Sequence, residues 1–255
     1  MNNVVITGVD VYRWYVLPAM GELIGTALFV FFVNFASAPS SIRIITYPLI
    51  SGISLFVLRG FFKKIAPGHY NPVVSVSQCV MRRIDGPTTM AFLAVQAFGA
   101  FLGAVLFRSL VSDSMFEQYF IGSYSSNEES KNIARSQGFF LDIILSAVIC
   151  FSYMSEDSRD YNLQVPLCWM LVSFFSYPLI GQAGNVALSS ANAVVYHIFT
   201  GDGTSTRHLY LHFAAGLIAI VLSSFIMWLL KTPTKRKRVD DGAKVEQQDK
   251  SIEIY

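Results

Sequence analysis

Two short stretches carry the side chains best suited to meet a polar solute. Residues 68–75 read GHYNPVVS and residues 184–189 read GNVALS, each set between apolar runs. Asn is a favoured helix N-cap, and Pro suits the first helical position because it has no N–H to leave unpaired. Asn71-Pro72 therefore marks a helix start inside a greasy region, and Asn185-Val186 repeats it without the proline. A capping Asn turns its side-chain oxygen onto the helix backbone, so its NH2 is expected to be free to donate to a solute. The chemistry on offer is hydrogen bonding, not bond making. Two acids, Glu22 and Asp142, also sit in apolar runs, where ionisable residues mark function by default. Glu22 is read as a structural acceptor; for Asp142 a proton-carrying role stays open beside the structural one. No nucleophile–base pair accompanies them. His197, His208 and His212 are scattered, and Cys79, Cys150 and Cys168 are odd in number with no pairing spacing. No enzyme, cofactor, metal or nucleic-acid partner is expected.

The elements that must hold these residues are membrane helices. Of the 255 residues, 53% are hydrophobic and only 14% charged, against about 25% charged in soluble domains. Phe (21) and Tyr (12) are abundant, which suits lipid-facing surfaces and interfacial belts. Apolar runs near the roughly 20 residues a crossing helix needs fall at 17–36, 45–62, 88–110, 138–154, 163–180 and 208–230. Two shorter runs, 71–81 and 185–199, cannot span alone. Short interrupted segments at matching places in two halves point to a site within the membrane.

The halves do match. GELIGTALFVFF (21–32) and LDIILSAVICFS (141–152) share a carboxylate, then a small hydroxyl residue and an Ala four and five positions on. Glu22 and Asp142 lie 120 residues apart, and Asn71 and Asn185 lie 114 apart. Three spans per half is an odd number, so the second half must insert upside down. The expected fold is all-α: six transmembrane helices plus two re-entrant half-helices in an inverted repeat. It divides into an N-terminal tail (1–16), a membrane domain (17–230, with repeats at about 17–110 and 137–230) and a disordered polar tail (231–255). MNNVVITGVDVYRW lacks the basic region of a cleavable signal, so the first span is expected to direct insertion. Thirteen Lys and Arg on the segments that share a side with the N-terminus, against five on the other, put both termini in the cytosol. The KRKR run at 235–238 marks the inner leaflet. Arg59, deep in the second span, needs a carbonyl or carboxylate partner. The sequence does not distinguish the plasma membrane from an internal one.

The arrangement resembles the aquaporin and aquaglyceroporin (major intrinsic protein) family over residues 17–230. The resemblance rests on GELIGT in the first span, GHYNPVVS after the second, VQAFGAFLGA (95–104) in the third and LIGQAGNVALS (179–189) before the second short helix. It implies that the short helices enter from opposite faces and meet end to end at the midplane. Asn71, Pro72, Val73 and Asn185, Val186, Ala187 are then the midplane boxes. Both half-helices aim positive dipole ends there, which disfavours cations. The resemblance gives Glu22 and Asp142 the role of accepting hydrogen bonds from the re-entrant loops, with His69 bracing its loop or lining the vestibule and Gln96 in the third span. Gly25, Gly99, Gly103 and Gly181 are expected to allow close helix approach. It also implies a homotetramer in the bilayer with one pore per subunit.

The departures from the family pattern shape the functional expectation. The boxes are Asn-Pro-Val and Asn-Val-Ala, and Leu188 stands where the family has its constriction Arg. The other constriction positions fall on Ser51, Ser173 and Gln182. A Ser/Ser/Gln/Leu ring is wider and less cationic than a strict water filter. The expected function is passive flow of water or small neutral solutes such as glycerol. Two alternatives stay open: a non-conducting relative kept for structure or regulation, and a proton-coupled transporter using Glu22 or Asp142.

Overall fold

The computed structural model describes residues 8–37, 42–119, 133–156 and 163–230. The tail from Lys231, expected to be disordered, and residues 120–132 between the third and fourth expected spans lie outside these residues. Short α- and π-helical turns at Gly8–Val11 and Tyr12–Val16 lead into α1 (Leu17–Ala36). There follow α2 (Arg43–Phe62), α3 (Pro72–Val80), α4 (Gly86–Leu110), α5 (Asp113–Tyr119), α6 (Arg135–Ser155), α7 (Gln164–Ile180), α8 (Val186–Thr200) and α9 (Leu209–Leu230). No strand occurs among the described residues.

Local chemistry sets the ends of these helices. Asp85 caps α4 by accepting from the Thr88 N–H at 2.7 Å, with Pro87 in the first turn. Gln137 reaches back to the Ala134 N–H at the start of α6. Gly201, at φ 75°, ends α8 in the left-handed conformation usual for a helix stop. Five helices of 20 to 25 residues are long and apolar enough to cross a bilayer: α1 (with its leading turn), α2, α4, α6 and α9. The expected fifth span, α7, has 17 residues, at the lower end of the crossing range. It stops early because Gly181 adopts φ 74° directly after Ile180. Gly181 thus ends α7 in a backbone conformation that favours glycine.

The packing follows the repeat. α1 lies along α4 and α6 along α9, while α2 and α7 pack against each other at the centre. Two glycines bring α1 and α4 together: a Cβ on Gly99 would come 2.5 Å from the Leu23 carbonyl, and one on Gly103 would meet that of Ala27. The 99–103 pair is thus a contact within the chain. Each half-helix leans on the other repeat, α3 on α6 and α9, and α8 on α4. Outward-facing Phe61, Phe140, Val221 and Trp228 leave an apolar exterior. The face where α1 begins and α9 ends is called here the terminal face.

Candidate functional site

Glu22 is wholly buried, and three donors converge on it. Oε1 accepts from the His69 N–H at 2.9 Å, and Oε2 from the Tyr70 N–H and Gln96 Nε2, both at 2.8 Å. Gln96 also donates to Ser75 Oγ at 2.9 Å, and His69 Nδ1 lies 3.1 Å from that hydroxyl. One acid on α1 thus fixes the loop that delivers Asn71. His69 is itself buried, its ring set against Ser75. Tyr70 has φ 47°, an uncommon conformation for an aromatic residue. It is held there by Glu22 on its N–H and by its hydroxyl donating to the Leu58 carbonyl at 3.2 Å.

The second repeat builds the same cradle from different groups. Asp142 Oδ1 accepts from the Gly184 N–H at 3.1 Å and from Ser146 Oγ at 3.0 Å. Its Oδ2 pairs with His212 Nδ1 on α9 at 2.7 Å. His212, read from sequence as scattered, therefore occupies the place that Gln96 holds in the first repeat. The two are 116 residues apart, between the offsets of the asparagines and the acids, and that spacing was the available signal.

At the centre, the two half-helices are stitched together reciprocally. Asn71 caps α3, its Oδ1 accepting from the Val73 N–H at 3.0 Å, and its Nδ2 donates to the Gly184 carbonyl at 2.6 Å. Asn185 caps α8 through the Ala187 and Leu188 N–H groups, and its Nδ2 donates to the Tyr70 carbonyl at 3.0 Å. The expectation of an uncommitted NH2 is thereby corrected: each amide gives one of its two hydrogens to the facing loop. Val186 opens α8 without the missing proline because the Asn185 cap suffices. Pro72 and Val73 start α3, and the buried Val73, Val186 and Ala187 pack around the junction. A second amide pair, not foreseen, ties α8 to α1: Asn34 and Asn192 exchange hydrogen bonds at 2.9 and 2.8 Å.

Ser51, Ser173, Gln182 and Leu188 are all buried. No hydrogen bond joins any two of them. Ser51 Oγ donates to the Tyr47 carbonyl at 2.8 Å, one turn away on α2. Both carboxamide atoms of Gln182 are buried without a partner in the chain, a condition that natural structures relieve with water or a ligand. Beyond the serines, the rings of Tyr47 and Tyr177 stack with centroids 4.4 Å apart. These buried side chains offer hydroxyls, a carboxamide and one aliphatic chain.

The model of the family described as "Major intrinsic protein" matches residues 13–227. The chain belongs to that family. Among relatives of this major intrinsic protein, "Glycerol uptake facilitator protein-like 6" of Lactiplantibacillus plantarum is 22% identical, over 81% of this chain and 94% of the relative. Bovine "Aquaporin-4" (Bos taurus) is 23% identical, covering 84% of this chain and 66% of its own length. Mouse "Aquaporin-8" (Mus musculus) is 24% identical over 57% of each. The X-ray structure of the aquaglyceroporin from Plasmodium falciparum superposes with a TM-score of 0.67 at 20% identity, over 83% of this chain and 93% of that one. The all-α inverted repeat read from the sequence is thus the fold that this structural neighbour shares.

Proposed function

We propose that this major intrinsic protein is a passive, bidirectional channel for water and small neutral solutes of about glycerol's size. The observation that carries the reading is the reciprocal stitch of Asn71 to Gly184 and Asn185 to Tyr70. It holds two helix N-termini nose to nose, each with one amide hydrogen left for a passing oxygen, and their dipoles oppose cations. Ser51, Ser173, Gln182 and Leu188 form the outer selectivity ring. Hydroxyls, a carboxamide and an aliphatic chain suit a solute with both polar and apolar edges, such as glycerol, urea or a peroxide-like molecule. The terminal face is cytosolic, following the Lys and Arg bias, and the protein assembles as a homotetramer with one pore per subunit. Glu22 and Asp142 act as loop acceptors, a reading supported by the His69 and Tyr70 N–H groups on Glu22 and the Gly184 N–H on Asp142. This disfavours the proton-coupled transporter, and the unpartnered Gln182 favours a wet pore over a non-conducting relative.

The test is stopped-flow light scattering on proteoliposomes, with sorbitol and then glycerol as osmolyte. Shrinkage in sorbitol faster than in empty vesicles, followed in glycerol by reswelling, is expected. Rapid water flow with no glycerol entry would refute the widened ring, and permeability equal to empty vesicles would refute the channel.

A further inference from the structure

One charged cluster lies apart from the asparagine junction and the outer ring. Arg59, in the last turn of α2, and Glu156, just past the end of α6, are each only 7% exposed. They pair in two-pronged fashion, Nη1 to Oε1 at 3.0 Å and Nη2 to Oε2. The Arg59 guanidinium lies 5.1 Å from the Tyr153 ring centroid, and its Cγ lies 2.8 Å from where a Cβ on Gly68 would stand. The Tyr153 hydroxyl donates to the carbonyls of Gly68 at 3.1 Å and His69 at 3.3 Å. A second guanidinium, Arg83, follows α3 and donates to the Tyr153 and Met154 carbonyls at the end of α6. The cluster therefore rests on residues 68–69, the stretch leading from the terminal face to Asn71. On the channel reading, a solute moving between Asn71 and the terminal face passes residues 68–69 and hence this cluster.

With two cations and one acid, the cluster itself carries a net positive charge. Burying an ion pair costs desolvation that a well-packed apolar pair avoids, so helix clamping alone does not account for it. The outer ring meanwhile carries an aliphatic chain at Leu188 where a cation would have repelled other cations. We propose that the cation barrier of this channel has moved to its cytosolic end: Arg59 and Arg83 are specificity-determining residues that reject protons and metal cations. Glu156 is a positioning residue that holds Arg59 against the path. This rests on the channel reading above.

The experiment uses the full chain in vesicles loaded with a pH-sensitive dye, with proton influx driven by a potassium diffusion potential. The leak is normalised to the water permeability of the same vesicles. A unit charge about 10 Å from a passing ion, at an effective dielectric of about 20, changes its crossing rate roughly tenfold. Wild type is expected to be tight. Arg59→Gln and Arg83→Gln should each leak roughly tenfold more, while Arg59→Lys stays tight. Glu156→Gln breaks the same ion pair but leaves both cations, and should also stay tight. A purely structural pair predicts the opposite pattern, with Arg59→Gln and Glu156→Gln behaving alike. That result, a leaky wild type, or unchanged leak in both Gln variants of the arginines would overturn the inference. If Arg59→Gln fails to fold, Arg83→Gln decides, because Arg83 is exposed where Arg59 is buried. Wild-type water permeability no higher than empty vesicles would sink the channel reading instead.

Discussion

Replacing Glu22 with Gln tests how much of the midplane junction depends on one acid. The carboxyl group accepts three hydrogen bonds on its two oxygens. An amide has one oxygen, so whichever way it turns, its NH2 faces the His69 N–H or the Tyr70 N–H. One buried donor is left without an acceptor, at a cost of about 1–3 kcal/mol, and the surviving bonds lose their charge assistance, roughly 1 kcal/mol more. The sum, about 2–4 kcal/mol, falls on the loop that holds Asn71 and presents the Tyr70 carbonyl to Asn185. A chain of this size loses about 2–4 °C of melting temperature per kcal/mol, so Glu22→Gln should melt roughly 5–15 °C lower in detergent. A displaced Tyr70 carbonyl also releases Asn185, so water permeability per reconstituted protein should fall together with the melting temperature. Scanning fluorimetry and stopped-flow scattering measure the two. A variant that melts and conducts like wild type would refute the claim that Glu22 holds the junction.

Leu188→Arg should slow glycerol entry by about tenfold or more while water flow persists, because a guanidinium narrows the ring and takes up the unpartnered Gln182 oxygen. The paired swelling assay reads the ratio directly. Asn34→Leu should lower stability by about 1–3 kcal/mol by orphaning the Asn192 amide, whereas Asn34→Leu with Asn192→Leu should cost less than either single change. Denaturation of the three variants side by side checks the order. Gly99→Ala should separate α1 from α4 and lower stability by about 1–3 kcal/mol, because its Cβ would press on the Leu23 backbone and not on a flexible side chain. An unaltered melting curve would show that the two helices accommodate it.

The six spans could be read from the sequence because each is a continuous apolar run whose ends carry Pro, Asp, Gly or charge. The first half-helix was legible from Asn71-Pro72 alone. The second, lacking the proline, was visible only through its distance from the first. What stayed hidden depends on partners brought together across the repeat. His212 carries no motif and uses an imidazole where its counterpart Gln96 uses an amide. Asn34 and Asn192 look unremarked in apolar helices, and they explain themselves only as a pair 158 residues apart. Arg59 was seen to need a partner, but Glu156 lies outside the apolar runs, where an acid draws no notice. The engagement of both midplane amides could not be foreseen, because it is a property of the junction and not of either loop.

The paired hydrogen bonds from Asn71 to the Gly184 carbonyl and from Asn185 to the Tyr70 carbonyl also bear on how the protein is made. During synthesis the first three spans leave the ribosome without the Gly184 carbonyl or the Asn185 amide. Until then the Tyr70 carbonyl and the Asn71 amide lack their partners at bilayer depth. In a chain grown only to the third span those two groups are without the second repeat, and the junction is completed only when residues 184–185 arrive. The latest step in making this junction is thus the docking of one repeat on the other, because each repeat supplies only half of its hydrogen-bonding groups.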